Sequence, residues 1–152
     1  MNKGITRKRG NKKWIILLVI IGVIAIISII GVNAGAPGRR EIEQMTIGTI
    51  NFAKLRDGTY TGEYTGTKDH LRDTKVQATV TNGHVSEIRI LKGALDKTGK
   101  PAELKGGLSI GDLFGNVVRT ESLQVDVISG ATLTSKTHLK ALENALKQAE
   151  AK

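Results

Sequence analysis

Ten residues near the C-terminus, Asp126-Val127-Ile128-Ser129-Gly130-Ala131-Thr132-Leu133-Thr134-Ser135, gather the groups best suited to holding an anion. Thr132, Thr134 and Ser135 put three hydroxyls at or near the start of a segment whose apolar positions, Leu139, Leu142, Ala145, Leu146 and Ala149, keep helical spacing. The first amides of a helix lack internal acceptors and carry the positive end of the helix dipole, which favours a phosphate there. Gly130 and Ala131 remove bulk, so a ligand or a modifying enzyme can approach the backbone and Thr132 closely. The same residues also suit a second reading, an ordinary tight turn with Ser135 as the helix N-cap.

Other constellations fail on spacing. His70, His84 and His138 are scattered, with no metal-ligand pattern joining them. Gly93 to Lys100, GALDKTGK, has five residues between its glycines where a phosphate loop has four, and Pro101 stands where a magnesium-binding hydroxyl is needed. Ser129-Gly130 is no hydrolase elbow, because Val127 occupies the position of the first glycine. Asp57 and Asp69 read as solvated turn residues. The chain has no cysteine, which excludes disulfides, thiolate chemistry, Cys-ligated metals and a thiol-acylated lipoprotein anchor.

The elements that must position the segment read as a small α+β domain over 57–152, with an antiparallel hairpin or sheet and packed helices. Asp57-Gly58 signals a turn, and TYTGEYTG alternates so that Tyr60, Gly62 and Tyr64 share one face of a strand. Lys75 to Thr81 and His84 to Leu91 flank Asn82-Gly83, a strong hairpin signal. Val76, Ala78 and Val80 face one way on the first arm; Ser86, Ile88 and Ile90 do so on the second. Gly93 to Gly107 is an irregular excursion. Ile110 to Glu121 is a helix turning Leu113, Phe114, Val117 and Val118 inward, and Gln124 to Ile128 is a short strand.

Upstream, residues 14–32 are apolar almost without a break. As a helix they span roughly 28 Å, about the hydrocarbon thickness of a bilayer, and they carry no polar stripe. A cleaved secretory signal is the competing reading, with small residues at 32–36, but the run is longer than the usual apolar region of such signals and favours a retained single-pass transmembrane anchor. Residues 1–13 form a basic tail with six Lys or Arg and no acidic residue, so the N-terminus is expected in the cytoplasm and the C-terminal domain outside the cell membrane. Residues 33–56 read as a juxtamembrane linker or stalk: Asn33 to Arg40 is a flexible linker, and Glu41 to Arg56 is either a short helix, with Ile42, Met45, Thr49 and Phe52 at helical spacing, or a stalk. The net charge of +9 follows from this topology: eight of the 23 basic residues precede residue 41, leaving 15 basic against 14 acidic beyond it. A domain so nearly neutral offers no nucleic-acid footprint.

The motif DVISGATLTS resembles the attachment site of the FMN-binding domain family, which includes domains in the C subunit of the sodium-pumping NADH:quinone reductase and the G subunit of the Rnf complex. DGTYTGEY at Asp57 to Tyr64, the hairpin VTNGHVSEIRI and the final helix KTHLKALENALKQA are similar as well, so the likeness covers roughly residues 55–150. It implies FMN as the cofactor, joined through its phosphate to Thr132 by a separate flavin transferase, with Asp126, Ser129, Gly130, Ala131, Leu133, Thr134 and Ser135 completing the cofactor site. Asp126 would assist modification or shape the turn, and Lys136 or His138 would neutralise phosphate charge. The implied function is an electron-transfer module or oxidoreductase subunit, exchanging electrons with donor and acceptor proteins or the quinone pool. The alternative is a membrane-tethered binding or scaffold domain without redox activity. One departure is the region LKGALDKTGKPAELKGG, where many members carry a Glu-Thr-Pro-Gly type loop beside the flavin.

Overall fold

The computed structural model describes residues 12–34 and 36–150, so the expected basic tail lies outside the described residues except for the backbone of Lys12 and Lys13. The chain divides into two units, Met1–Ala36 and Pro37–Lys152. The first holds helix α1 (Lys12–Ala34). Its described large apolar side chains, from Trp14 to Ile26, are all exposed, and Ser28 satisfies its hydroxyl within the helix by donating to the Ile24 carbonyl at 2.8 Å. Side chains are described for residues 14–26 and 28, a stretch shorter than a bilayer span, and among the described residues no helix is long and apolar enough to cross a membrane.

The second unit is α+β. Strands β1 (Gly58–Tyr64), β2 (Thr74–Thr81) and β3 (His84–Lys92) form an antiparallel sheet in that order. Asn82 and Gly83 close the hairpin at φ 53° and 79°, left-handed values that a tight two-residue turn needs. The carboxylate of Asp57 accepts from both of their amides, at 3.0 and 2.8 Å, so this residue fastens the start of β1 to the hairpin tip.

Helix α4 (Thr132–Ala149) lies across β1 and β2 and buries the apolar stripe expected of it against Val76, Ala78 and Val80. At Gly62 the approach is so close that Ala141 O and Ala145 N occupy the space a Cβ would take. The free edge of β1 is covered from the same helix: Asn144 donates to the Glu63 carbonyl at 2.8 Å and Gln148 to that of Thr61 at 2.7 Å. Helix α3 (Ile110–Thr120) packs on β3 and α4, opened by a reciprocal cap between Ser109 and Asp112.

Four expectations change. The segment read as linker followed by a short helix or stalk packs into the second unit: helix α2 (Ala36–Gln44) lies earlier than the helix considered over Glu41 to Arg56, and with the segment after it buries Ile42, Phe52 and Leu55 in a unit that begins at Pro37. Gln124 to Ile128 is not a strand, because its amides turn to side chains; Gln124 donates to Ser122 Oγ and Ile128 to Ser135 Oγ. A bulge between Thr79 and Val80 shifts the register of β3, so Val85 joins Ile88 and Ile90 toward the core while Ser86 bonds Thr81 and the Thr79 carbonyl. Val118 is exposed on α3, unlike Leu113, Phe114 and Val117.

Candidate functional site

The chemistry-bearing segment enters α4 through a turn. Ala131 donates its amide to the Ile128 carbonyl at 2.9 Å, and Gly130 sits at φ 74°, a conformation glycine adopts without a Cβ penalty. A side chain at Gly130 would also meet the stem of Lys105. Ala131 is the N-cap and has no side chain able to cap; among the described residues the amides of Thr132, Leu133 and Thr134 find no acceptor. The helix therefore begins with open donors at the positive end of its dipole.

The motif residues differ sharply in access. Asp126, Ser129, Gly130 and Thr132 are exposed, Ala131, Leu133 and Thr134 are half-buried, and Ser135 is fully buried. Ser135 is not the N-cap: it lies inside the first turn, where its hydroxyl donates to the Ala131 carbonyl at 3.0 Å and accepts from the Ile128 amide at 3.1 Å. It braces the turn from beneath. Of the three hydroxyl-bearing residues at the helix start, Thr132 alone is exposed.

Thr132 opens onto a groove of about 460 Å³, walled by Gly130 to Thr134 of the helix start, by Arg39 and Glu43 of α2 and by Arg72 of the loop before β2. Arg39 Nε donates to Glu43 Oε1 at 3.0 Å. An adjoining hollow of about 260 Å³ shares Arg72 and Thr134 with the groove and is floored by Leu71, Ala94, Ala102, Leu104 and His138. Asp73 also lines it. Burial pushes that acid upward, but bonds from the Gly66 amide, His70 and Lys92 outweigh this and hold it below the usual aspartate range. Phe, Tyr and Trp are absent from both linings.

Two expected phosphate partners are committed elsewhere. Lys136 Nζ donates to the carbonyls of Ile42, Glu43 and Met45 at 3.3, 2.7 and 3.0 Å, neutralising the C-terminal end of α2. His138 is 1% exposed; its Nδ1 donates to the Thr134 carbonyl and its Nε2 accepts from the Ala94 amide. Burial holds its pKa below the ordinary value, only partly offset by the bond to Thr134, so the ring is neutral and no counter-charge.

A model of the FMN-binding domain family matches residues 70–147, just over half of the chain, including Thr132 and the whole helix entry. The chain belongs to the FMN-binding domain family. FMN is accordingly its cofactor. No curated protein matches the chain. The groove at Thr132 has the size of a small-molecule site and unpaired amide donors with arginines beside them, so the phosphate end of FMN fits the residues present. Arg39, Glu43 and Arg72 were not legible as site residues, since each lies at least 60 positions before Thr132 and carries no local motif; their grouping comes from folding α2 and the β1–β2 loop against the start of α4.

Proposed function

We propose that this chain is a membrane-anchored, extracytoplasmic electron carrier bearing FMN as a phosphoester on Thr132. The observation that carries the reading is the exposed Thr132 hydroxyl at an uncapped helix N-terminus, facing a groove with two arginines, in a chain of the FMN-binding domain family. Thr132 contributes the ester oxygen. A separate flavin transferase would move FMN from a flavin dinucleotide donor, the Thr132 oxygen losing its proton and bonding to the FMN phosphorus as the donor's pyrophosphate P–O bond breaks. The nucleoside monophosphate leaves with that bridging oxygen, and the exposed turn Ser129-Gly130 leaves room for the enzyme. The open amides of Thr132 to Thr134 then hold phosphate oxygens at the helix start. Bound FMN supplies reversible electron transfer. The apolar residues of the inner hollow, Leu71, Ala94 and Leu104 among them, would shelter part of the ring from water, and electrons would pass to and from partner proteins or the quinone pool.

Support for the anchor comes from the nearly unbroken apolar run 14–32, the six basic residues ahead of it, the exposed apolar side chains of α1 and the internally bonded Ser28 hydroxyl. Covalent attachment suits a domain outside the membrane, where a dissociated cofactor is lost by dilution.

The test is co-expression with a flavin transferase, followed by intact mass and in-gel flavin fluorescence of the denatured chain. The wild type should gain the mass of one FMN less one water and fluoresce, and Thr132→Ala should do neither. Fluorescence that persists in Thr132→Ala defeats the assigned attachment, and a colourless wild type favours the tethered scaffold. Membrane fractionation with protease added from outside checks the topology; a domain protected from protease would overturn it.

A further inference from the structure

Most of the positive or titratable side chains around Thr132 already have partners. Lys136 is spent on the α2 carbonyls, His138 is neutral between Thr134 and Ala94, and Arg39 pairs with Glu43, whose carboxylate lines the same groove. Lys105 lays its stem over Gly130, but it is exposed and does not line the groove. Arg72 differs from all of these. It is half-buried, it lines both the groove and the inner hollow, and among the described residues its guanidinium makes no hydrogen bond or ion pair.

A guanidinium carries five N–H donors in a planar fork matched to phosphate oxygens, and leaving them half-desolvated without an acceptor is unfavourable. The backbone around it is braced: Thr74 Oγ1 donates to the Arg72 carbonyl at 3.1 Å, and the neighbouring Asp73 carboxylate accepts from the Gly66 amide at 3.0 Å.

We propose that Arg72 is the specificity-determining residue that reads the phosphate of FMN, so that the site takes the phosphorylated flavin over riboflavin. The inference rests on the reading that FMN lies with its phosphate at Thr132, and it adds recognition that precedes and is independent of the covalent bond. Arg39 is the lesser contributor because Glu43 offsets its charge.

The experiment uses the full chain in detergent, made without transferase and carrying Thr132→Ala, titrated with FMN and with riboflavin by flavin fluorescence. FMN should bind at least about tenfold more tightly than riboflavin, the scale expected of charge-assisted bonds. Adding Arg72→Gln should remove most of that preference by weakening FMN alone. Arg72→Lys should keep part of it, because a point charge cannot fork. Thermal melts by circular dichroism establish that the variants are folded, and Arg72→Lys serves if the glutamine variant is not. A preference that survives in Arg72→Gln overturns the inference, as does a Thr132→Ala chain that binds both flavins equally or neither. Intact mass of the wild type made with transferase separates this from the covalent reading. Attachment at Thr132 without an Arg72-dependent preference defeats the inference alone. An Arg72-dependent preference without attachment defeats the covalent bond alone.

Discussion

His138 Nδ1 donates to the carbonyl oxygen of Thr134 at 2.7 Å, while its Nε2 accepts from the amide of Ala94 at 3.2 Å. Only a neutral imidazole protonated on Nδ1 fills both roles. The ring thereby ties the first turn of α4 to the loop after β3, and both segments line the hollow beside the Thr132 groove. Gly93 makes room for this: at φ 132° it lies against the imidazole where a Cβ would collide with Nε2.

The buried ring predicts a pH dependence with a definite sign. Burial lowers the folded-state pKa of His138 below the unfolded value of about 6.5. Its stabilising contribution is complete above that unfolded value and is lost as pH falls through it toward the lower folded value, because the unfolded chain takes up a proton that the folded one refuses. Urea unfolding between pH 7.5 and 5.5 should show a decline, of which this group contributes at most about 1.4 kcal/mol per pH unit. In His138→Leu the decline should be shallower. An unchanged slope would rule out the neutral assignment.

Gly62 predicts the sharpest steric result. The backbone of α4 at Ala141 and Ala145 fills the place of its missing Cβ, and neither is a movable side-chain end. Gly62→Ala should lower unfolding free energy by about 2–3 kcal/mol, within the range of overpacking. At Gly115, where a Cβ meets nothing within 4 Å, alanine should be neutral or slightly stabilising by helix propensity. Equal urea midpoints for the two variants would contradict the close β1–α4 approach.

Periodicity made the sheet face of β2, the hairpin turn and the stripe of α4 legible, because each follows from local alternation or helical spacing over several residues. Helix α2 was legible only in part: helical spacing from Ile42 suggests a helix over Glu41 to Arg56, whereas the helix runs from Ala36 to Gln44. Its sequence APGRREIEQ is polar with one buried anchor, Ile42, and its place is set by long-range bonds: Glu41 accepts from the amides of Thr67 and Lys68, and Lys136 reaches back to its C-terminal carbonyls. The Thr67 amide bond is the chief reason that the Glu41 carboxyl is held below the usual range. Tyr64, also bonded to Glu41, is pushed up to about 12 by burial and by that neighbouring charge. No pattern in a single segment reports such pairings. For the same reason the helix entry at Thr132 was readable from its hydroxyls, whereas Arg72 was not.

Glu143 is a second buried titratable group on α4, this one charged, and predicts an acid-sensitive contact. Its carboxylate, 1% exposed, accepts from Lys147 at 2.5 Å, Lys140 at 2.9 Å and the Gly48 amide at 3.0 Å. Burial pushes its pKa up, but the bonds from Lys147, Lys140 and Gly48 prevail and leave it below the ordinary value. This contribution is present above the unfolded value of about 4.3 and is lost as pH falls through the lower folded one. Glu143→Ala, which strands the Gly48 amide, should cost about 1–3 kcal/mol in urea melts at pH 7. Glu143→Gln keeps an acceptor and should cost less. If the alanine variant matched wild type, the docking of residues 45–50 on α4 would need another cause.

Ser135 separates bracing from binding. Its hydroxyl is buried and doubly bonded, to the Ala131 carbonyl and the Ile128 amide, directly beneath the turn that presents Thr132. Ser135→Ala removes both bonds and leaves the Ile128 amide without its acceptor, so stability should fall by about 1–2 kcal/mol. Flavin attachment measured by intact mass after co-expression with transferase should persist, since Thr132 keeps its exposed hydroxyl. Loss of attachment at unchanged stability would mean that Ser135 serves the flavin directly. Unchanged stability with attachment intact would mean that the turn holds without it, and that Gly130 and the Ala131 to Ile128 bond suffice to present Thr132.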